Sequence, residues 1–243
     1  MCRMIGFASA EPLDLAPFLD GLSDFSRRGN LVDGWERRAG GNHPNGWGIA
    51  YRAGGGIRLL RSGKPANADP ALSGVRVTTD RFIGHVRYAS NIATVSASNA
   101  HPFLVRGTAL AHNGTFHGKI GEEAQRRNVS DTLVFLERLS VLWEEKVFSH
   151  LGEALMAILC DPGQVGDYSA ANLLIASGEA LFALRHWRRN EDYYTLFLKD
   201  GPGLAVAASQ PLDDGPGWRP FCNGELVELR PGAPRSAVLF AAA

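Results

Sequence analysis

Met1-Cys2-Arg3-Met4-Ile5-Gly6-Phe7-Ala8 opens the chain: a cysteine directly behind the initiator, then an apolar run the length of one strand. The small side chain at position 2 lets methionine aminopeptidase remove Met1, which would make Cys2 the N-terminus. A cysteine there carries a thiol and a free α-amine on one carbon. Nucleophile and general base then come as one unit, the thiol counterpart of a threonine activated by its own N-terminal amine. A free α-amine has a pKa of about 7.7–8.0 and a free thiol about 8.5, so proton transfer between them is nearly thermoneutral around neutral pH. Taken alone, the same residues also suit a core strand whose second position is merely tolerant.

Outward from that strand, short apolar runs bounded by glycine, proline and polar clusters recur at 47–51, 57–61, 81–88, 108–112, 172–176, 180–187, 193–198, 204–208, 226–229 and 237–240. Tight turn signals such as Ala53-Gly54-Gly55-Gly56 and Ser177-Gly178-Glu179 join several of them, which predicts antiparallel hairpins rather than parallel crossovers. Helical spacing covers 15–25, 131–143 and about 148–160. Two antiparallel sheets with helices outside them suit this inventory, and other α+β arrangements remain open. Residues 27–45, rich in Gly, Arg and Asn, read as a long loop that is either a functional lid or plain surface.

At 243 residues and 45% apolar content the chain can bury a substantial core, and a single domain over 1–243 is expected. Lys plus Arg equals Asp plus Glu at 25 each, so no basic field is available to hold a nucleic-acid backbone. The three cysteines, Cys2, Cys160 and Cys222, are an odd count without a C-x-x-C pair, which argues against a disulfide framework and a zinc site. Cys160 and Cys222 have apolar neighbours and are expected to be inert core or near-surface thiols. No apolar run approaches the roughly 18 residues of a membrane span, and no signal core follows the N-terminus. The expectation is a cytoplasmic protein without membrane contact.

Five further segments bear on Cys2. Asn45-Gly46-Trp47-Gly48-Ile49-Ala50 is followed by Gly84-His85-Val86-Arg87-Tyr88-Ala89-Ser90, and then by Asn99-Ala100-His101-Pro102-Phe103. Ala111-His112-Asn113-Gly114-Thr115 and Ser130-Asp131-Thr132 complete the series. In this order behind an N-terminal cysteine, the set resembles the glutaminase domain of class II glutamine amidotransferases, members of the N-terminal nucleophile hydrolases. The resemblance runs through motifs over about 1–135 and through strand pattern beyond. It implies a four-layer αββα sandwich of two antiparallel sheets between helices, hydrolysis of a glutamine or γ-glutamyl amide through a thioester on Cys2, and no cofactor.

What the resemblance implies residue by residue is chemically coherent. Arg87 presents a planar guanidinium that can grip a glutamyl α-carboxylate with two parallel hydrogen bonds. Ser130 suits a helix N-cap, which sets the Asp131 carboxylate at the helix mouth for the substrate ammonium. Tyr88 falls beside Arg87 as a further substrate-binding residue. Asn113, through its side-chain amide, and Gly114, through its backbone N–H, converge on a developing oxyanion, although Asn-Gly by itself reads first as a hairpin turn. Trp47 and Gly48 are read as packing residues. His85, His101 and His112 lack an i, i+4 helical pair and a carboxylate at ligand spacing, so no metal is expected.

The tail segments Ala208-Ser209-Gln210-Pro211-Leu212 and Cys222-Asn223-Gly224-Glu225 resemble stand-alone members of the family. These include uncharacterised bacterial proteins and, less closely, the γ-glutamyl hydrolase of the ergothioneine pathway. A stand-alone amidohydrolase is therefore the leading reading. A glutaminase subunit that delivers ammonia to a separate synthase is the second, and a non-catalytic γ-glutamyl binder the third. Arg27, Arg28 and Asn30 are expected to line the leaving-group side.

Overall fold

The computed structural model describes residues 2–28, 41–89, 91–144, 151–178 and 180–240. The first strand, β1 (Arg3–Asp14), alternates as a strand buried on both faces must: Met4 and Ala8 enter one apolar cluster, Ile5 and Phe7 another. Helix α1 (Ala16–Arg27) follows, with Pro17 in its first turn, where a missing N–H costs nothing. Next come β2 (Trp47–Ala53), β3 (Gly56–Ser62), the short α2 (Pro70–Ser73) and β4 (Thr78–Val86). The middle of the chain supplies β5 (Phe103–Val105), β6 (Thr108–Phe116), α3 (Lys119–Arg127), α4 (Asp131–Glu144) and α5 (Leu151–Leu159). Then follow β7 (Tyr168–Ser177), β8 (Ala180–Arg185), β9 (Phe197–Gly201), β10 (Leu204–Ala208), β11 (Trp218–Pro220), β12 (Glu225–Glu228) and β13 (Arg235–Val238).

The strands form two sheets, ordered β11-β9-β10-β1-β4-β2-β3 and β13-β12-β8-β7-β6-β5. Every recorded pairing within them is antiparallel. Met4, Ala50, Ile83, Ala109, Ala111 and Leu174 fill the space between the sheets. Half of these are alanines, and the sheets approach closely: a side chain on Gly6 would press against Leu174 of the facing sheet. On the outside, Leu19, Leu22 and Phe25 of α1 cover the first sheet, while Ile120, Phe135 and Leu155 of α3, α4 and α5 cover the second. The four-layer αββα sandwich expected from the resemblance is thus present.

Several boundaries differ from the sequence reading, each for a local reason. Helix α1 runs through Arg27 because Phe25 and Ser26 are buried, so position 27 is helical rather than the start of a loop. Asn30 and positions 29–40 of that segment lie outside the described residues. Strand β6 does not stop at His112 but continues through Asn113 and Gly114 to Phe116, so Asn-Gly is strand and not a hairpin turn. The run 193–198 is a strand only from Phe197, since the Tyr194 carbonyl accepts from Arg185 and Asn172 side chains instead of a neighbouring strand. Of the two alternatives for Cys160 and Cys222, the surface one is observed, as both are exposed.

Candidate active site

Strand register brings the first half of the site together. Arg3 on β1 pairs with Val86 on β4, which sets Cys2 level with Arg87 just beyond the strand ends. The Arg87 backbone is fixed there, its N–H donating to Gly46 O at 2.9 Å and its carbonyl accepting from Asn45 N at 3.1 Å. The half-buried Cys2 thiol accepts from the Tyr88 N–H at 3.5 Å and lies 3.8 Å from the Tyr88 carbonyl oxygen. The backbone of Tyr88 therefore meets the thiol, while the residue itself is exposed.

The facing sheet supplies the second half. On β6, Ala109 and Ala111 point between the sheets, and the same alternation turns Asn113 toward Cys2. The Cys2 backbone N–H donates to Asn113 Oδ1 at 3.0 Å. That bond fixes the amide orientation and leaves Asn113 Nδ2 buried without a partner. A buried, unpartnered N–H pair is costly unless it has a task, because its hydration is lost without replacement. Asn113 is paired across β7 with Asn172, a fully buried residue that accepts from His186 N and donates to Tyr194 O, so the strand has little freedom here. At Gly114 any side chain would collide with the Ala170 carbonyl oxygen and the His112 ring. Close approach, and not a turn, explains that glycine.

Asp131 opens α4, where the Ser130 hydroxyl accepts from Thr132 N at 3.3 Å, as the N-cap reading expects. The Asp131 carboxylate accepts from Phe116 N at 2.8 Å and Thr132 N at 2.9 Å, which ties the helix mouth to the end of β6. Arg87 is buried, and among the described residues its two terminal nitrogens donate to Thr94, at 2.9 Å to the carbonyl and 2.8 Å to the hydroxyl. Burial lowers its pKa and the Cys2 and Asp131 charges oppose that, but a guanidinium stays charged. Cys2, Arg87, Tyr88, Thr94, Gly114 and Asp131 all border one cleft of about 280 Å³. That is near the small end of the roughly 300–1,000 Å³ of ligand sites, a size for an amino-acid side of a substrate.

Three buried histidines follow, His101 and His112 on the cleft lining and His85 behind them. The His85 and His101 rings lie 4.4 Å apart, and burial together with the Arg87 charge pushes His85 down to about 3. Burial likewise lowers His101 and His112. His112 Nε2 is 3.0 Å from the Ala170 carbonyl oxygen and Nδ1 is 3.0 Å from Thr132 Oγ1. The carbonyl only accepts, so Nε2 carries the proton and Nδ1 accepts from the hydroxyl. Among the described residues no group of His, Cys, Asp and Glu has metal-holding geometry. Trp47 is a packing residue, buried with its Nε1–H donating to Asp69 at 3.0 Å.

Sequence reading did not reach Thr94, Asn172 or the histidine contacts. Thr94 carries no motif. The histidines sat inside the quoted motifs, but their partners are distant in sequence.

Comparison with known proteins agrees with this architecture. The family model for class II glutamine amidotransferases matches residues 1–199. An uncharacterised protein of Methanocaldococcus jannaschii is 28% identical over 79% of this chain and 62% of its own length, so the chain spans about three fifths of that relative. A γ-glutamyl-hercynylcysteine sulfoxide hydrolase of Mycolicibacterium smegmatis is 28% identical over 95% of this chain and 96% of its own. Among solved structures, glutamine phosphoribosylpyrophosphate amidotransferase of B. subtilis superposes with a TM-score of 0.66 at 20% identity, covering 99% of this chain and 50% of that one. No described helix is long and apolar enough to cross a membrane.

Proposed function

Because the chain belongs to the class II glutamine amidotransferases, we propose that it hydrolyses the side-chain amide of glutamine or another γ-glutamyl amide through a γ-glutamyl thioester on Cys2. The observation that carries this reading is Asn113: its Oδ1 accepts from Cys2 N while its Nδ2 is buried and unpartnered. With Met1 removed, the same Oδ1 orients the α-amine as a base toward its own thiol. We take residues 1–243 to act as one amidotransferase domain. The end-to-end match with a relative named as a γ-glutamyl hydrolase favours hydrolysis over ammonia delivery to a separate synthase.

The steps follow from the chemistry. The Cys2 α-amine takes the thiol proton, and the thiolate forms a C–S bond to the substrate δ-carbon. The carbonyl oxygen becomes an oxyanion, met by Asn113 Nδ2 and the Gly114 N–H. Collapse breaks the C–N bond as the α-ammonium returns its proton to the departing nitrogen, releasing ammonia or an amine. Water then attacks the thioester, the amine takes its proton, and glutamate leaves as the thiol is restored. Arg87 holds the α-carboxylate beside Tyr88, and Asp131 holds the α-ammonium.

Turnover of glutamine, N-acetylglutamine and γ-glutamyl anilide, with glutamate and ammonia measured separately, tests the reading. Glutamate should come from glutamine and the anilide, and ammonia from glutamine alone. Equal turnover of N-acetylglutamine and glutamine would contradict the role given to Asp131.

A further inference from the structure

The backbone of β6 has a free edge beside the oxyanion residue, and a side chain fills it. Strand β5 pairs with β6 only from Thr108 to Leu110, so the His112 backbone has no strand neighbour on that side. The His101 ring takes the place, Nδ1 lying 3.2 Å from the His112 carbonyl oxygen and 3.4 Å from its N–H. Across the ring, His101 Nε2 is 3.2 Å from Ser130 Oγ. Ser130 Oγ donates to Asp131 Oδ1 at 3.2 Å, so its remaining capacity is to accept, and His101 Nε2 carries the proton. Nδ1 then accepts from the His112 N–H, and its approach to the His112 carbonyl oxygen is a packing contact with no shared proton. Burial keeps the ring neutral, which this donor–acceptor pattern requires.

We propose that His101 is a positioning residue that couples reading of the substrate α-ammonium at Asp131 to the placing of Asn113 for the oxyanion, an inference that rests on the amidohydrolase reading above. An ammonium seated on Asp131 fixes the carboxylate, the carboxylate fixes Ser130, and Ser130 fixes the ring. The ring in turn holds the peptide group immediately before Asn113. A second route runs from Asp131 Oδ1, which accepts from Thr132 N, through the Thr132 hydroxyl, which donates to the His112 ring. Catalysis should therefore depend on His101 only when the substrate has an α-amine to report.

The test pairs γ-glutamyl p-nitroanilide with glutaryl p-nitroanilide, which lacks only the α-amine. His101→Gln keeps the reach to Ser130 and gives up the His112 backbone. His101→Asn does the reverse, and His101→Ala gives up both. The expectation is a kcat loss of about 30-fold for His101→Ala on the glutamyl probe and under about threefold on the glutaryl probe, a non-additivity typical of groups in one network. His101→Gln and His101→Asn should each show the same selective loss, since each breaks the link once, with thermal midpoints near that of the unsubstituted protein. If His101→Ala does not fold, these two variants decide the question. Equal losses on both probes would overturn the coupling and make His101 a packing residue. Failure of the unsubstituted protein to turn over either probe would overturn the amidohydrolase reading instead, and the inference with it.

Discussion

At the Cys2 end of the cleft the polar groups stand on long paired strands with a donor already free, whereas at the glutamyl end the main cation is already occupied. Asn113 Nδ2 has no partner to leave before it can meet an oxyanion. Both terminal nitrogens of Arg87, by contrast, are engaged by Thr94, half in a short turn of helix over the cleft. The contrast separates two kinds of binding. Donors held ready favour the transition state and set kcat. A guanidinium that must exchange partners weakens ground-state binding and raises KM.

The largest expected effect bears on the prepared end. Asn113→Ala should lower kcat by about 10²–10³-fold with KM changed little, the loss seen when one oxyanion donor is removed. Steady-state kinetics that put the loss in KM would break the division between the two ends. Arg87→Lys should do the opposite, raising KM on the order of tenfold with kcat within about threefold, because an ammonium keeps the charge but not the bidentate fork. A fall in kcat alone would move Arg87 to the catalytic end.

At both ends the site's single residues are legible in the sequence and the contacts that hold them are not. Cys2, Arg87, Asn113 and Asp131 are single residues inside recognisable motifs, and the fold gathers them around one cleft, Asn113 beneath Cys2 and the other three on its lining. Thr94 and the links from His101 to Ser130 and from Asn113 to Asn172 are not legible, because they join residues whose proximity only the packed sheets create. Among the elements, α3 escaped notice because just Ile120 and Ala124 are buried on a helix otherwise polar, too narrow a stripe to register. Strands β5 and β11 have three residues each, shorter than any alternation that could reveal them. Asn113-Gly114 was ambiguous for a different reason. A glycine needed for close approach and one needed for a turn look alike in one sequence.

The histidines between the two ends give a prediction in pH. His85, His101 and His112 have folded pKa values lowered by burial, so below about 6.5 the unfolded chain takes up protons that the folded one refuses. Their neutral burial is fully tolerated above that pH, and stability falls as pH drops toward 3. His85, lowered to about 3, contributes a loss of about 1.4 kcal/mol per pH unit across that window, and His101 and His112 add losses of the same sign. Thermal midpoints should therefore fall between pH 7 and pH 5, while the activity limb should follow deprotonation of the Cys2 α-amine. A flat stability profile from pH 7 to 5 would show that the histidines take up protons in the folded state.

The smallest effect sharpens the comparison at its weaker end. Thr94→Val removes the hydroxyl partner of Arg87 and leaves the carbonyl, so KM should fall by about two- to fivefold with kcat unchanged. A rise in KM would mean that Thr94 holds Arg87 in place for the substrate and does not compete with it.

The proposed mechanism stands or falls on Cys2 as an N-terminal nucleophile. Mass spectrometry of the protein before and after treatment with 6-diazo-5-oxo-norleucine tests it most directly. The expected result is an intact mass lacking one methionine, a single adduct mapped to Cys2, and loss of activity in proportion to labelling. Full activity in protein that retains Met1, or an adduct on the exposed Cys160 or Cys222 in its place, would contradict it.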